Sequence, residues 1–455
     1  PSKRRQQPGQ GQAERQLSLK NVRIIDGTGA PAIENGLYVF ENVKEGFNQD
    51  IVEYVGEMDE AILAKADSGD NVMDLSGHTM LPGLFNVHAH LDLVLPYENR
   101  GPEYDPLGVP YRTLMMYRRT AEALDCGVTT IRNVGCPDNI DIYLKKAINK
   151  NMVFGPNLVT CGTPLIAHGG HGCDEYGHTA CSGVDEFRRE ARLLCARGVD
   201  MVKLMYTGGM ASANEGLNDM QMTDEEVAAV VWAAHAANKK VCAHLSNDNA
   251  IRRSVEVGLD CVEHGYTLSE ETAKLMGEKG TYYVPTLCVS SCPDYLIAHG
   301  SPEHQVRKGR EAARTHMNGV RYAHKYGVKI CVGTDLLPSD PVDGTNATVR
   351  EMELLVEAGL TPLEAIKAAT STPAELCGLE NVTGTLKPGL MGDFIVVEGN
   401  PDQDFSAIRN LRLVSKHCRL VWGNLPGANA RRFSITGAGY EMAGGTFCDW
   451  GRLGR

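Results

Sequence analysis

Eight short apolar segments recur along the middle of the chain, and segments with helical spacing separate them. The predicted strands are residues 84–90, 128–134, 157–161, 200–206, 240–245, 260–264, 282–287 and 329–334. Strands that alternate with helices favour a parallel sheet, because a parallel pair needs a long crossover connection. Eight such units within about 250–300 residues are typical of a (β/α)8 TIM barrel. The predicted fold class is therefore α/β.

The segments between these strands carry start and stop signals of helices. Thr223 can cap one helix, and Glu226 lies three residues later as the partner in a capping box. Residues 247–257 are predicted as a second helix, which Gly258 would end. These signals support the alternation of strands and helices on which the barrel prediction depends.

Both ends of the chain differ in pattern, because they contain short β segments broken by turn residues. A small β-sandwich built from both chain ends, with the barrel inserted between its parts, is expected. The predicted divisions are a disordered tail (1–15), the two sandwich parts (16–80 and 382–435), the barrel (81–381) and an irregular C-terminal segment (436–455).

Composition excludes several classes of function. A net charge of −12 argues against nucleic acid or an anionic membrane surface as the main partner, since both attract basic patches. We find no apolar stretch of 18 or more residues and no signal-peptide pattern. The 14 cysteines are scattered rather than spaced as a disulfide framework, which favours free thiols and a cytoplasmic location. Cys288 and Cys292 form the one close pair, and we expect a structural role for them.

The sequence His88-Ala89-His90 lies at the end of the first predicted strand. Alternation at period two sends both imidazoles to the same side of that strand. Each neutral imidazole can supply one lone pair to a metal ion such as zinc. A single His-x-His pair is a weak signal, since a pair of histidines on a polar strand face would look the same.

Further potential ligands occur at or near the ends of other predicted strands. They are Lys203, His244, His264 and Asp335. The reactive groups of a TIM barrel gather at the carboxyl ends of its strands. These residues would therefore meet His88 and His90 at one mouth of the barrel.

Several motifs in order give the chain a specific resemblance over roughly residues 16–430. They are Ile25-Asp26-Gly27-Thr28-Gly29, the Pro-Gly-Leu run that leads to His88 and His90, residues 127–132, residues 169–172, Val202-Lys203, the His244 run, Glu263-His264-Gly265, Gly333-Thr334-Asp335 and residues 389–393. With these motifs the chain resembles the amidohydrolase superfamily. Within it, the chain is similar to the branch of imidazolonepropionase-like proteins and metal-dependent Xaa-Pro dipeptidases (prolidases).

This resemblance implies a centre of two divalent metal ions, usually Zn²⁺. His88, His90 and Asp335 would hold the more buried ion, and His244 and His264 the second. A protonated lysine has no lone pair to offer a metal ion. The resemblance therefore implies that Lys203 carries a carbamate derived from carbon dioxide and bridges the ions. The alternative for Lys203 is a buried ammonium group that is paired with an acid.

The implied reaction is hydrolysis of an amide C–N bond by a metal-activated hydroxide. Asp335 would accept the proton of the attacking water and pass it to the departing nitrogen, while Lys203 would hold the ions. The substrate would be a small N-acyl amino acid, a dipeptide or a related amide. A homo-oligomer is the expected assembly.

The predicted substrate contacts are His171, Tyr206 and Ser246. Ser246 stands where many prolidase-like relatives carry an aromatic residue. Possible anchors for a substrate carboxylate are Arg100, Arg112, Lys308 and Arg310. Solvated surface charges are the usual role of such residues.

Two alternative functions remain open. The first is a mononuclear cyclic amidine or imidazolone hydrolase or deaminase. Such relatives lack the lysine ligand and often place Glu three residues after the histidine of the fifth strand, where this chain has Asn247. The second is an inactive, metal-free binding scaffold, because a fold alone does not prove function. The number of ions per chain separates the three possibilities.

Overall fold

The computed structural model describes residues 15–42, 51–66, 72–94, 108–173 and 178–425. The elements before the first barrel strand are β1 (Arg15–Ile24), β2 (Ile33–Asn42), β3 (Val52–Glu57), α1 (Glu60–Ala66), β4 (Val72–Asp74) and β5 (His78–Pro82). Apart from Arg15 in β1, the predicted disordered tail lies outside the described residues, as does the predicted irregular segment 436–455.

The central part of the chain alternates strands with helices. Its strands are β6 (Leu84–Ala89), β7 (Val128–Asn133), β8 (Asn157–Thr160), β9 (Leu165–Ala167), β10 (Thr179–Cys181), β11 (Met201–Met205), β12 (Lys240–Leu245), β13 (Cys261–His264), β14 (Tyr282–Val284) and β15 (Lys329–Ile330). Its helices are α2 (Gly108–Asp125), α3 (Ile140–Asn149), α4 (Gly183–Arg197), α5 (Asp224–His235), α6 (Asp248–Glu256), α7 (Glu270–Lys279), α8 (Leu287–Ser291), α9 (Pro293–Ala298) and α10 (Glu303–Lys325).

The remaining elements complete the carboxyl-terminal part of the described chain. They are β16 (Pro341–Val342), β17 (Thr345–Asn346), α11 (Ala347–Glu357), α12 (Pro362–Ala368), α13 (Ser371–Cys377), β18 (Phe394–Glu398), β19 (Leu411–Lys416) and β20 (Arg419–Gly423). The eight strands predicted for the barrel all occur, as β6, β7, β8 and β11 to β15. The short strands β9 and β10 were not predicted.

The barrel strands form two parallel sheets. One contains β6, β7 and β8, and the other has the order β10-β9-β11-β12-β13-β14-β15. Backbone hydrogen bonds connect the two sheets, from Val87 N to Val332 O at 2.9 Å and from Asp200 N to Thr160 O at 2.8 Å. The fold is thus α/β and of the TIM-barrel type, while a fully hydrogen-bonded closed barrel stays a prediction.

The helix signals that the sequence contains are confirmed in the structure. Thr223 caps α5, and its capping box with Glu226 is present. The side chain of Asn247 accepts the N–H of Ala250 and so caps α6. Because these caps satisfy backbone N–H groups that have no partner inside the helix, they define where each helix begins.

Strands from both ends of the chain form one sheet beside the barrel. Its order is β20-β19-β18-β5-β1-β2-β3, with β4 paired to β1. β18 pairs antiparallel with β5, which joins the carboxyl-terminal and amino-terminal parts. Only Gly83 separates β5 from β6, so this sheet leads directly into the first barrel strand. The predicted pairing of the two chain ends is seen, whereas a two-layer sandwich stays a prediction.

Apolar side chains fill the space between the barrel strands and their helices, and a separate apolar cluster covers the terminal sheet. None of the cysteines among the described residues forms a disulfide, and both Cys288 and Cys292 are buried. No helix in the described part of the chain is long and apolar enough to cross a membrane.

A buried ion pair within the terminal sheet also contacts the barrel. Lys416 Nζ lies 2.7 Å from Asp393 Oδ2, and both side chains are fully buried. The same carboxylate accepts the His417 N–H at 2.7 Å and the Asn157 amide of β8 at 3.2 Å. Although burial raises the pKa of Asp393, the Lys416 charge lowers it below its ordinary value. The carboxylate is therefore ionised and depends on Lys416 for its compensation.

We expect Lys416→Met to lower the free energy of unfolding by about 3–5 kcal/mol, because Asp393 would remain buried without its cation. The control is Arg412→Met on the same strand, whose pair with Glu398 is exposed. That variant should lose far less stability, because exposed ion pairs contribute little. Urea denaturation followed by circular dichroism measures both. Equal losses in the two variants would contradict the assigned role of the buried pair.

Candidate metal centre

Two strand ends bring together the first group of predicted ligands. His88 lies on β6 with His90 directly after that strand, and Asp335 follows β15. Asp335 Oδ1 is 3.3 Å from His88 Nε2 and 3.2 Å from His90 Nε2. Two ligands of a tetrahedral zinc ion are about 3.4 Å apart when each lies about 2.1 Å from the metal. These spacings fit donors around a single ion.

The close approach of these strand ends depends on Gly333. A Cβ atom at this position would lie 2.6 Å from His88 Cβ and 2.5 Å from Val284 Cγ1, so no larger residue fits. The N–H groups of Thr334 and Asp335 both donate to the His88 carbonyl, at 3.0 and 2.8 Å. The backbone itself therefore holds Asp335 beside His88.

The other predicted ligands lie on the adjoining strands. The ring centroid of His264 is 4.4 Å from that of His244 and 4.7 Å from that of His88. Lys203 is buried on β11, the neighbour of β12. Burial lowers the pKa of both His244 and His264 well below the ordinary value, and the Lys203 charge adds to this effect. The structure thus brings these residues into one cluster.

A fully buried carboxylate holds the first histidine. Glu263 Oε2 accepts His88 Nδ1 at 2.6 Å, and Glu263 Oε1 accepts the Arg132 guanidinium at 2.7 Å. Burial opposes ionisation of Glu263, but Arg132 and His88 outweigh it and lower its pKa to about 2. Glu263 also feels the charge of Lys203, yet its oxygens pair with Arg132 and His88 instead. This acid therefore does not provide the ion pair of the alternative considered for Lys203.

Hydrogen bonds to the ring nitrogens decide which nitrogen of each histidine is left for a ligand. Glu263 occupies Nδ1 of His88, and Thr286 Oγ1 lies 2.8 Å from Nδ1 of His264. Ser246 Oγ donates to a backbone carbonyl and lies 3.3 Å from Nε2 of His244. We infer that Nε2 of His88, Nε2 of His264 and Nδ1 of His244 carry the free lone pairs.

These donors fit a divalent metal. His88 Nε2 is buried and makes no hydrogen bond among the described residues, and its neighbour Asp335 Oδ1 lies 3.3 Å away. A buried polar atom without a hydrogen bond costs about 1–3 kcal/mol, and a bound ion would use its lone pair. His244 and His264 are neutral at neutral pH because their pKa values are lowered. Although burial raises the pKa of Asp335, the adjacent histidines hold it well below its ordinary value, which leaves a carboxylate.

The backbone is strained at several of these positions. His264, Thr286 and Asp335 adopt φ angles of 67°, 55° and 56°, in the left-handed region. Each such non-glycine residue costs on the order of 1–2 kcal/mol. Strain of this kind persists only where the surrounding contacts impose it, and it concentrates at functional sites.

His171 also reaches the cluster, from the loop after β9. Its ring stacks on that of His244 with centroids 4.4 Å apart, and its Nδ1 bonds to Glu215. Although burial raises the pKa of Glu215, His171 lowers it below its ordinary value. A Cβ atom at position 209 would lie 2.4 Å from His171 Cε1, so Gly209 makes room for the ring. This predicted contact residue is therefore held against the ligand cluster.

Lys308 supports the loop that carries Glu215. Its ammonium donates to the carbonyls of Gly209, Ser212 and Glu215 at 3.0, 2.6 and 2.7 Å. All three ammonium protons are used in this way, so the expectation that Lys308 could anchor a substrate carboxylate is wrong.

The remaining residues predicted to contact the substrate differ in where their side chains lie. The Tyr206 hydroxyl donates to Asp224 of α5 at 2.9 Å, and its ring packs in the apolar layer between strands and helices. The expectation that Tyr206 lines the mouth is therefore not met. Ser246 contacts His244 and is fully buried. Arg112 pairs with Asp138.

Sequence reasoning missed several residues that hold the ligands in place. Glu263 and Arg132 occur within motifs that were noticed, but neither was expected to act on His88. Thr286 was missed altogether. A buried Glu directly before a ligand histidine was the one local signal available. The residues that these side chains contact lie far away in the sequence: 175 residues separate His88 from Glu263.

Comparison with known proteins supports this description. Residues 79–416 match the model of the amidohydrolase family. The ochratoxinase of Aspergillus niger is 31% identical over 367 residues, which cover 74% of this chain and 73% of that protein. The imidazolonepropionase of Aliivibrio fischeri is 23% identical over 392 residues, covering 80% of this chain and 87% of that protein.

Comparison with solved structures finds similar folds. A Xaa-Pro dipeptidase with bound methionine in its active site has a TM-score of 0.77 and 28% identity, covering 90% of this chain and 100% of that one. The A. niger ochratoxinase structure has a TM-score of 0.77 and 26% identity, covering 92% of this chain and 99% of that one. The motifs, the fold and these matches agree, and the chain belongs to the amidohydrolase family of hydrolases that act on amide and other C–N bonds.

Proposed function

We propose that this protein hydrolyses the amide bond of a small N-acyl amino acid, dipeptide or related amide with two divalent metal ions, Zn²⁺ by preference. The observation that carries the proposal is the group of His88, His90 and Asp335, whose ligand atoms lie within 4.8 Å of one another. The Nε2 atom of His88, which is buried beside Asp335 without a hydrogen bond to any described residue, supports it.

Each predicted ligand has a defined part in this proposal. His88, His90 and Asp335 would hold one ion, and His244 and His264 the other. Lys203, carbamylated by carbon dioxide, would bridge the two. Bound ions of this type lower the pKa of water and polarise a carbonyl oxygen.

The side chains of the protein supply the proton transfers. Asp335, ionised at neutral pH, accepts the proton of the attacking water on a carboxylate oxygen. It then passes this proton to the nitrogen of the departing amine, and the carboxylate is restored. His171, fixed by Glu215, faces the same space and would contact the substrate. Glu263 keeps His88 in the tautomer with a free Nε2.

The substrate class rests on the relatives. Similar proteins include a Xaa-Pro dipeptidase and an ochratoxinase. A screen should therefore contain Xaa-Pro dipeptides, N-acyl amino acids, aryl amides and ochratoxin, with zinc and bicarbonate supplied. Turnover in at least one class is expected, and none in any class would overturn the amidase proposal.

The mononuclear alternative has less support. Asn247, at the position where deaminase relatives often carry Glu, caps α6 and donates to the Leu217 carbonyl at 3.2 Å. Its amide is thus occupied by structural hydrogen bonds. Lys203, which the mononuclear relatives lack, is present and buried on β11.

Metal analysis after purification with zinc and bicarbonate should find about two ions per chain. Lys203→Ala should retain at most about one, because the bridging group is lost. Lys274→Ala, which removes an exposed lysine of α7, should match the parent protein. One ion in the parent protein would favour the mononuclear alternative, and none would favour the scaffold.

Asp335→Asn should reduce kcat/KM by at least about 100-fold, because the amide cannot take up and release the proton. The control is Asp185→Asn on α4, where the carboxylate is 97% exposed, and it should leave the rate unchanged. The measurement is steady-state hydrolysis of the best substrate from the screen. Full activity of Asp335→Asn with metal bound would show that the proton is moved by another group.

His171→Asn should lower kcat/KM by roughly 10- to 100-fold, because the proposed contact of the imidazole with the substrate would be lost. A hydrogen bond to a charged group contributes about 1.5–3 kcal/mol. Both ions should remain bound, as measured by metal analysis. His168→Asn alters an exposed histidine nearby in the same part of the chain and serves as the control. Unchanged kinetics in His171→Asn would limit His171 to a structural role.

A further inference from the structure

The backbone of His264 is held in an unfavourable conformation. Its φ angle of 67° lies in the left-handed region, where side chains beyond glycine are disfavoured. Gly265 follows with the same φ angle of 67°, so the chain turns sharply as it leaves β13. Contacts from outside this turn must hold His264 in the left-handed conformation, because a histidine does not favour that conformation by itself.

Two buried donors meet at the carbonyl oxygen of His264. The hydroxyl of Tyr283, on β14, donates to it at 2.8 Å. His316 Nε2, on α10, lies 2.9 Å from the same oxygen and must donate, since a carbonyl oxygen only accepts. Both side chains are fully buried. They bind the backbone of His264 and leave both ring nitrogens to other partners.

His316 is itself fixed from two sides. Ser290 Oγ lies 2.8 Å from its Nδ1, which leaves Nε2 to carry the proton. The ring of Tyr266 meets His316 edge to face, with centroids 4.9 Å apart. The same Tyr266 ring stacks on the His264 imidazole at 5.4 Å with an interplanar angle of 15°. His316 therefore contacts both the backbone and the ring neighbour of His264.

We propose that His316 and Tyr283 are positioning residues, which hold the strained backbone of His264 so that its ring points into the metal centre. This inference rests on the proposed two-metal function. The pair anchors one ligand of the second ion and has no such contact with the backbone of His88. Loss of either donor should therefore weaken one ion and spare the other.

The test uses the full-length protein loaded with zinc and bicarbonate, and titrates it with a chelator while metal content is measured. His316→Leu should weaken binding of one ion about 10- to 100-fold and leave the other unchanged. His316→Gln keeps an amide N–H at the end of the side chain and should recover much of this loss. Tyr283→Phe should weaken the same ion.

A matched control separates positioning from general stability. His324→Leu removes a histidine from the same helix, where it pairs with Glu364 at a partly exposed site. It should bind both ions as the parent protein does. If His316→Leu does not fold, Ser290→Ala and Tyr283→Phe give the same test, because each acts on the carbonyl contact with a smaller change.

The outcomes distinguish this inference from the function on which it rests. Two ions bound with parental affinity in folded His316→Leu and in Tyr283→Phe would overturn the positioning role and leave the proposed function intact. Loss of both ions together would also overturn it, since that result indicates a purely structural role. A parent protein that binds no ion would instead refute the proposed function.

Discussion

The buried carboxylate of Glu263 is the interaction on which the rest of this site depends. It lies inside the barrel between the Arg132 guanidinium and the His88 imidazole, and all three side chains are buried. Each comes from a different strand, so the contact ties β13 to β7 and β6. Removing one charge of such a pair leaves the other uncompensated, at a cost of about 3–5 kcal/mol. The contacts that position His88 are therefore the same contacts that hold these three barrel strands together.

Around this carboxylate, the histidines proposed as ligands differ in their partners. His88 bonds to a charged group, whereas His264 bonds to the hydroxyl of Thr286 and His244 lies beside that of Ser246. A carboxylate partner makes an imidazole a stronger donor than a neutral partner does. The cluster combines the neutral imidazoles of His244 and His264 with one ionised aspartate and a buried lysine, and this mixture suits metal binding better than a simple ion-pair network.

The mouth of the site is built by residues other than the proposed ligands. His171 comes from the loop after β9, Glu215 from the loop after β11 and Lys308 from α10, and hydrogen bonds join these segments. The family relationship explains the chemistry of the strand ends. The arrangement of these loops distinguishes members of one fold, because specificity resides in the segments that the barrel supports.

Local pattern in the sequence was enough to place the eight barrel strands, the cap at Thr223 and the candidate ligand residues at strand ends. Strand alternation and helix capping depend on residues a few positions apart, so the sequence alone is enough to predict them. The tertiary structure decided which side chains face one another. The Tyr206 hydroxyl donates to a residue of α5, and the Lys308 ammonium donates to backbone carbonyls. His316 donates to the carbonyl of His264, which lies 52 residues away in the sequence. Such pairings depend on packing between distant segments, which no local spacing encodes.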